Sequence, residues 1–395
     1  MTRIYLDNNA STPMAPEVFE AMLPWLHENY GNASSVHWFG QRATAAVEGA
    51  RRRVASLIGA TPHEIIFTSG GTEADNLAIL GMSEARKAIG RHLIVSSIEH
   101  PAVLSACRAL ESRGFDITYL GVDREGLIHP DELRAAIRPD TILISVMLAN
   151  NETGVIQPVE EIVEVARALQ VPVHTDAVQA VGKIPVDVKS LSADLLSLSA
   201  HKIHGPQGMG ALYVRKGVGL TPRMLGGNQE RKRRAGTESV AAAVGLGRAA
   251  ELARQGVLSE SPHIASLRDR FEHEILSRCP RSRVNGHRQL RVGNTTNLGF
   301  EDVDGEALLL ALDMEGVAAS MGAACSSGSL EPSHVLKAMG VRKEILRGSL
   351  RFSLSKFNTE EEIDRAAEIV CRTVEHIRSV PEKVAKQGTA PAVLE

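Results

Sequence analysis

Residues 195–208 read LLSLSAHKIHGPQG. An alternating apolar run ends in Ser199, His201 and Lys202, and the chain then turns through Gly205, Pro206 and Gly208. Glycine and proline punctuate turns, so the stretch predicts a buried strand followed by a polar loop. A lysine just past such a strand is either a surface cation or an amine held in a site. The rest of the sequence decides between the two.

Working outward, short β-rich runs alternate with helical patterns over the first half. EIIFTS (64–69), HLIVSS (92–97), DITYL (116–120), TILISVML (141–148), VPVHTDAV (171–178), DLLSLS (194–199) and GALYV (210–214) read as strands, most of them buried on both faces. VEEIVEVARALQ (159–170) reads as an amphipathic helix with Ile162, Val163, Ala166 and Leu169 on one face. Strand, helix and strand in repetition predict an α/β fold with a mostly parallel sheet of seven strands.

The texture changes near residue 255, where charged helical sequence (266–279) precedes TTNLGF (295–300), an apolar helix (305–320) and a final helix (359–380). A large domain over 16–255 and a smaller α+β domain from 1–15 and 256–380 are expected, with 381–395 a frayed tail. The 395 residues are 43% hydrophobic and 23% charged, with a net charge of −3. That balance gives no reason to expect nucleic acid or an anionic membrane as partner. The basic run ERKRRAGT (230–237) reads as a solvated loop. The first residues lack the apolar core of a signal peptide, and no apolar run is long enough to span a bilayer. Cys107, Cys279, Cys325 and Cys371 form no CxxC pair and suggest neither a zinc site nor a disulfide framework. A reduced cytoplasmic protein is the expectation.

In open α/β sheets, ligands bind beyond the carboxyl ends of the strands. Polar residues cluster at every such end here: TSGGTEADN after the first run, IEHPAV after the second, then ANNETG, TDAVQ and SAHKIHG. Gly71 and Thr72 open a helix whose backbone N–H groups would cradle a phosphate, although a plain threonine cap reads equally well. His100 precedes Pro101 and is either catalytic or satisfied by its neighbours. Asp176 ends a strand that should be buried, where a carboxylate needs a cationic or protonated partner unless it merely caps the next helix. A pyridinium nitrogen is one such partner, and Gln179 lies one turn further on. With Lys202 as the amine, these groups describe a pyridoxal 5′-phosphate site joined through a Schiff base.

YLDNNAST, TSGGTEADN, HPAV, ANNETG, HTDAVQAVGK, SLSAHKIHGPQG, RRAGTES, AACSSGSLEPSHVL and LRFSLSKFNTEEEID occur in this order from residue 5 to about residue 366. Together they resemble the motifs of the NifS/IscS-type cysteine desulfurases of the class V aminotransferase family, with the nitrogen-fixation branch most similar. The resemblance implies an aminotransferase-like fold of type I and a homodimer. It implies that Lys202 holds the cofactor and that Gly71, Thr72, Ser199 and His201 bind its phosphate. His100 would stack on the pyridine ring and act in proton transfer, and Asp176 would pair with the ring nitrogen. Asn151 and Gln179 would contact the ring face or its phenolic oxygen, with Asn151 also near substrate. Thr237 would reach the phosphate of the partner subunit, and Arg351 would clamp the substrate carboxylate.

Cys325 separates this family from ordinary aminotransferases. The implied reaction converts L-cysteine to L-alanine and leaves the sulfur on Cys325 as a persulfide, bound for an iron–sulfur scaffold protein. No intrinsic metal is expected; Cys325 is a candidate transient cluster ligand during handover. Cys107, Cys279 and Cys371 read as inert buried thiols. Departures from the family pattern are Ala33 where proline is common, Ser11 where threonine is usual, and Met321 and Ala323 where small polar residues are common. Two other readings stand beside this one. The first is a selenocysteine lyase, aminotransferase or other pyridoxal phosphate enzyme on the same fold. The second is a non-catalytic sulfur carrier or scaffold-binding protein.

Overall fold

Apolar residues on both faces of a run can be buried only if the sheet is covered on both sides, and the chain satisfies this with helices. The computed structural model describes residues 3–322 and 332–379. After β1 (Ile4–Tyr5) come α1 (Pro16–His27) and α2 (Trp38–Leu57). The alternating section runs β2 (Ile65–Thr68), α3 (Gly71–Arg86), β3 (His92–Ser96), α4 (Pro101–Glu111), β4 (Asp116–Leu120), α5 (Pro130–Ala136) and β5 (Thr141–Ser145). It continues through α6 (Val159–Ala168), β6 (Val173–Asp176), α7 (Val188–Leu191), β7 (Leu195–Ser199) and β8 (Gly210–Val214).

These seven strands pair in the order β2-β8-β7-β6-β5-β3-β4. β8 is antiparallel to both its neighbours and the other pairings are parallel. The carboxyl ends of β2, β3, β5, β6 and β7 therefore share one edge of the sheet, where the polar clusters meet. One core lies between the sheet and α1, α2, α6 and the start of the long helix described below, and a second lies beneath α3 and α4.

Two local expectations are corrected. The strand read over 141–148 ends at Ser145, but its continuation still bonds to the neighbouring strand, from Val146 N to His174 O and from Leu148 N to Asp176 O. Leu169 is not on the buried face of α6: it caps the helix in a turn and is 51% exposed.

α8 (Val240–Arg278) spans 39 residues and is continuous through the change of texture at residue 255. Its first half contributes Ala243, Leu246, Ala249 and Ala250 to the core under α2. Its second half contributes Leu267, Phe271 and Ile275 to a separate core with Ile4, Leu6, Phe300 and Phe352. That core belongs to an antiparallel sheet of β9 (Ser282–Val284), β10 (Thr295–Phe300) and β12 (Ser349–Ser353), ordered β12-β10-β9. β1 pairs in parallel with β11 (Val317–Ala318) beside it. Helices α9 (Gly305–Met314), α10 (His334–Ala338), α11 (Lys343–Arg347) and α12 (Glu360–Ser379) complete this part. In α12, Ile363, Ala366, Ala367, Val370 and Val374 recur at helical spacing and are buried, with three glutamates in the first turn to suit the helix dipole.

The basic run at 230–237 is not a freely solvated loop. Glu230 is buried and takes a bidentate pair from Arg51, at 2.7 and 2.8 Å, plus the backbone N–H of Phe67 at 3.1 Å. Arg234 pairs with Glu73 at 2.8 and 3.1 Å. Anchored at both points, the segment holds Glu230, Arg231 and Lys232 at positive φ and presents Thr237 on the surface. No helix among the described residues is long and apolar enough to cross a membrane.

α2 and α8 approach closely because Gly247 lies against Ala50. A Cβ at Gly247 would come within 2.6 Å of the Ala50 Cα, a backbone atom that cannot swing away. Gly247→Val should therefore lower stability by about 1–3 kcal/mol, measured by denaturant unfolding.

Candidate active site

Five strand ends and two segments from the smaller core converge on one buried polar region. After β7, a single 3-10 turn (Ala200–Lys202) carries Lys202 back toward the N-terminal segment, where its Nζ donates to the backbone carbonyls of Asn9 and Ala10 at 2.5 and 2.7 Å. Thr12 N donates to His201 O at 2.9 Å and fixes the two segments side by side. His201 Nδ1 meets Ser11 Oγ at 3.2 Å, so serine preserves the hydroxyl that the threonine usual at this position would provide.

Asp176, at the end of β6, is 5% exposed and accepts a hydrogen bond from Val178 N at 2.9 Å. Burial pushes its carboxyl up to about 6, although the Lys202 charge pulls the other way. His100 caps α4 by accepting from Ala102 N at 3.1 Å, with Pro101 in the first turn where no N–H is needed. Burial, then the charges of Lys202 and His334, bring its imidazole down to about 4, so it is neutral near pH 7. Burial and then Lys202 do the same to His201.

Arg351 comes from β12 and is 1% exposed. It donates to Asn151 O at 3.1 Å and to Asp7 Oδ1 at 2.5 Å, while its Nε has no protein partner among the described residues. The Asn151 carbonyl also accepts from Asn9 Nδ2 at 3.1 Å. The Asn9 carbonyl accepts from Gln179 Nε2 at 2.9 Å as well as from Lys202. Asn151, Gln179, Lys202 and Arg351 are thereby linked through Asn9.

Gly71 opens α3 beside Ser199: a Cβ at Gly71 would lie 3.6 Å from the Ser199 Cβ and 2.9 Å from Val178. No side chain caps this helix N-terminus, and the Ser199 hydroxyl beside it is buried without a protein partner among the described residues. Free backbone donors, a lone buried hydroxyl and a helix dipole fit a phosphate. A buried carboxylate with a raised pKa fits a ring nitrogen able to share its proton, and the neutral His100 fits an aromatic face. The residues present thus suit pyridoxal phosphate. Thr72 is exposed, Thr237 stands apart on the surface, and Cys325 lies outside the described residues. Among the described residues no group of acidic, histidine and cysteine side chains is arranged to hold a metal. Cys107, Cys279 and Cys371 are buried, and burial pushes the Cys107 thiol up to about 12.

Sequence reasoning missed the supporting layer. Asp7, Asn9 and Lys183 bond directly to the candidate residues; they lie in the motifs YLDNNAST and HTDAVQAVGK, but the sequence assigned them no role. Beneath Asp176, His174 bridges Ser145 and Ser197 at 2.9 and 3.0 Å and lies 3.6 Å from Asp75. Burial, and the repulsion of Asp176, raise Asp75 well above the carboxylate range. Glu99 is raised in the same way, and its Oε1 accepts from Met147 N. Only the pattern of polar residues inside apolar strands signals this layer.

The raised Asp176 value fixes a sign. Folding favours the protonated carboxyl, so the stability this group contributes is complete below the ordinary value of 3.8 and is lost as pH rises through about 6. In the bare protein, Asp176→Asn should add roughly 3 kcal/mol at about pH 8 and almost nothing below about pH 4, read by denaturant unfolding across pH.

The family model described as aminotransferase class V matches residues 4–366. The chain is 53% identical to the cysteine desulfurase IscS of Methanosarcina thermophila, over 95% of this chain and 93% of that protein. It is 48% identical to a cysteine desulfurase of Gluconacetobacter diazotrophicus, over 99% of both. Among solved structures, a NifS-like protein superposes with a TM-score of 0.90 at 37% identity, over 95% of this chain and 100% of that one. Another, SspA in complex with cysteine, gives a TM-score of 0.80 at 39% identity, over 91% and 100%. An arrangement suited to pyridoxal phosphate thus coincides with a match over nearly the whole sequence, and the chain belongs to the class V aminotransferase family.

Proposed function

We propose that this protein is a pyridoxal phosphate-dependent cysteine desulfurase that converts L-cysteine to L-alanine and passes the sulfur to an iron–sulfur scaffold protein. The observation that carries the reading is the Lys202 amine, held on the Asn9 and Ala10 carbonyls and coupled electrostatically to buried Asp176 at the adjacent strand end. Bound there, pyridoxal phosphate supplies an electron sink for the pair left on the substrate Cα when its proton departs.

The protein's own residues do the rest. The N-terminus of α3 with Gly71 and Thr72, together with Ser199 and His201, holds the phosphate. Asp176 keeps the ring nitrogen protonated, since a carboxylate buried beside that nitrogen is stabilised only by sharing its proton. Neutral His100 packs against the ring without adding a charge that would oppose the protonated nitrogen. Asn151 and Gln179 orient the ring by hydrogen bonds. Arg351 exchanges its contact with Asp7 for the substrate carboxylate, a planar fork that lysine cannot reproduce. Lys202 takes the proton from Cα as general base. Cys325, as thiolate, attacks the substrate sulfur. The new S–S bond leaves a persulfide on Cys325 as the C–S bond breaks; the bonding pair stays with the substrate carbon, which takes up a proton, and alanine is released. An acceptor thiol on the scaffold protein then takes the outer sulfur.

A homodimer is part of the proposal. Phe19, Leu26, Tyr30, Val36 and Trp38 are all more than half exposed, on α1, the loop after it and the start of α2, and so many large exposed apolar side chains suit burial against a second copy. In the proposed dimer, Thr237, exposed on its anchored segment, binds the phosphate held by the partner subunit.

Given L-cysteine and a reductant, the purified protein should release sulfide and alanine in equal amounts, and Cys325→Ala should abolish both. Pyruvate in place of alanine, alanine without sulfide, or an unaffected variant would reject the desulfurase; the last points to an aminotransferase. The absence of visible cofactor absorbance would favour a non-catalytic carrier. Sedimentation should give twice the chain mass of 42.5 kDa. Tyr30→Asp combined with Trp38→Asp should give monomers that lose the cofactor more readily.

A further inference from the structure

Lys183 lies four residues beyond Gln179 in the turns that follow β6, and the chemistry above gives it no task. Its Nζ donates to Asn9 Oδ1 at 2.7 Å and to Gln179 Oε1 at 2.5 Å. Lys202 donates to the backbone carbonyl of the same Asn9. Two amines therefore lean on one residue, one on its side chain and one on its backbone. Both also line a single cavity of about 60 Å³, with Asn8, Thr12 and Asn294 in its walls.

The charges facing this pair come from every element around it. Arg351 approaches from β12 but is engaged with Asp7, and Asp176 approaches from β6. His100 and His201 are neutral near pH 7. On the far cavity wall are His204 and the Glu260–Lys356 pair, 3.3 Å apart. The acceptors of Lys183 are both uncharged amide oxygens, with no carboxylate among them. Burial pushes its ammonium well below the lysine range, and the charges of Lys202 and Arg351 push the same way. Like charges in a dry site oppose one another strongly, so a proton on one amine disfavours a proton on the other.

We propose that Lys183 is a positioning residue for Lys202: across Asn9, a proton on its amine disfavours a proton on the Lys202 nitrogen, while its two hydrogen bonds fix the amides of Gln179 and Asn9. The Gln179 oxygen is committed to Lys183, so its NH₂ group is the end that donates to Asn9 O. The inference rests on the reading of Lys202 as the cofactor-bearing amine.

The test is a spectroscopic titration of the holoenzyme, without substrate, from about pH 6 to about pH 10. The visible absorbance of bound pyridoxal phosphate reports whether the Lys202 nitrogen carries its proton. Removing the neighbouring positive charge stabilises the protonated form, so Lys183→Met and Lys183→Gln should each raise the midpoint by about one pH unit. Lys183→Arg keeps the charge and should titrate like the wild type. An unchanged midpoint in both neutral variants would overturn the proposal while leaving the cofactor reading intact. Loss of the absorbance in both at every pH, with Lys183→Arg retaining it, would make Lys183 a cofactor-retention residue and would also overturn it. A wild-type protein with no visible band would overturn the proposal together with the reading on which it rests.

Discussion

Asn9 holds the candidate site together. Its carbonyl receives Lys202 and Gln179, its side-chain oxygen receives Lys183 and Asn294, and its side-chain nitrogen reaches Asn151 O and Thr295 Oγ1. Its own N–H donates to Ser353 Oγ at 2.9 Å. Every polar atom of one residue is thus used, and the partners come from the large sheet's edge and from the strands of the smaller core. A buried amide left half satisfied is destabilising, so this saturation fixes the geometry as well as permitting it.

Around that knot, burial decides the charge state of nearly every ionisable group. Histidines 100, 174 and 201 are pushed toward neutrality, while Asp75, Glu99 and Asp176 are pushed toward their protonated forms. Arg351 and Asp7 form an ion pair within the same region. The result is a weakly screened cavity with a few fixed charges, where each remaining interaction counts for more than it would in water.

Much of this was legible in the sequence. The sheet followed from runs apolar on both faces, and the location of the site followed from the polar residues after each run. Lys202 and Asp176 stood out because a charged residue at the end of a buried strand needs a reason to be there. Other features were hidden because they depend on long-range pairing. Nothing local distinguishes Glu230 from the arginines beside it until Arg51 arrives from α2. Leu169 obeys helical spacing, yet the helix stops before it and leaves it exposed. Asp7 and Asn9 act through partners hundreds of residues away, and Lys183 matters only because Lys202 leans on the same amide.

The continuous helix α8 gives the molecule a mechanical character. At a rise of about 1.5 Å per residue its 39 residues form a beam of nearly 60 Å, embedded at one end in each core. Bending it to bring the two parts together would break backbone hydrogen bonds along its length, and the natural place to bend is Pro262, whose missing N–H already interrupts the ladder. A protein braced in this way does not sort its ligands by clamping down on them. On the proposed function, selection falls instead on exchanges of partner within the braced frame, above all on whether the substrate carboxylate displaces Asp7 from Arg351.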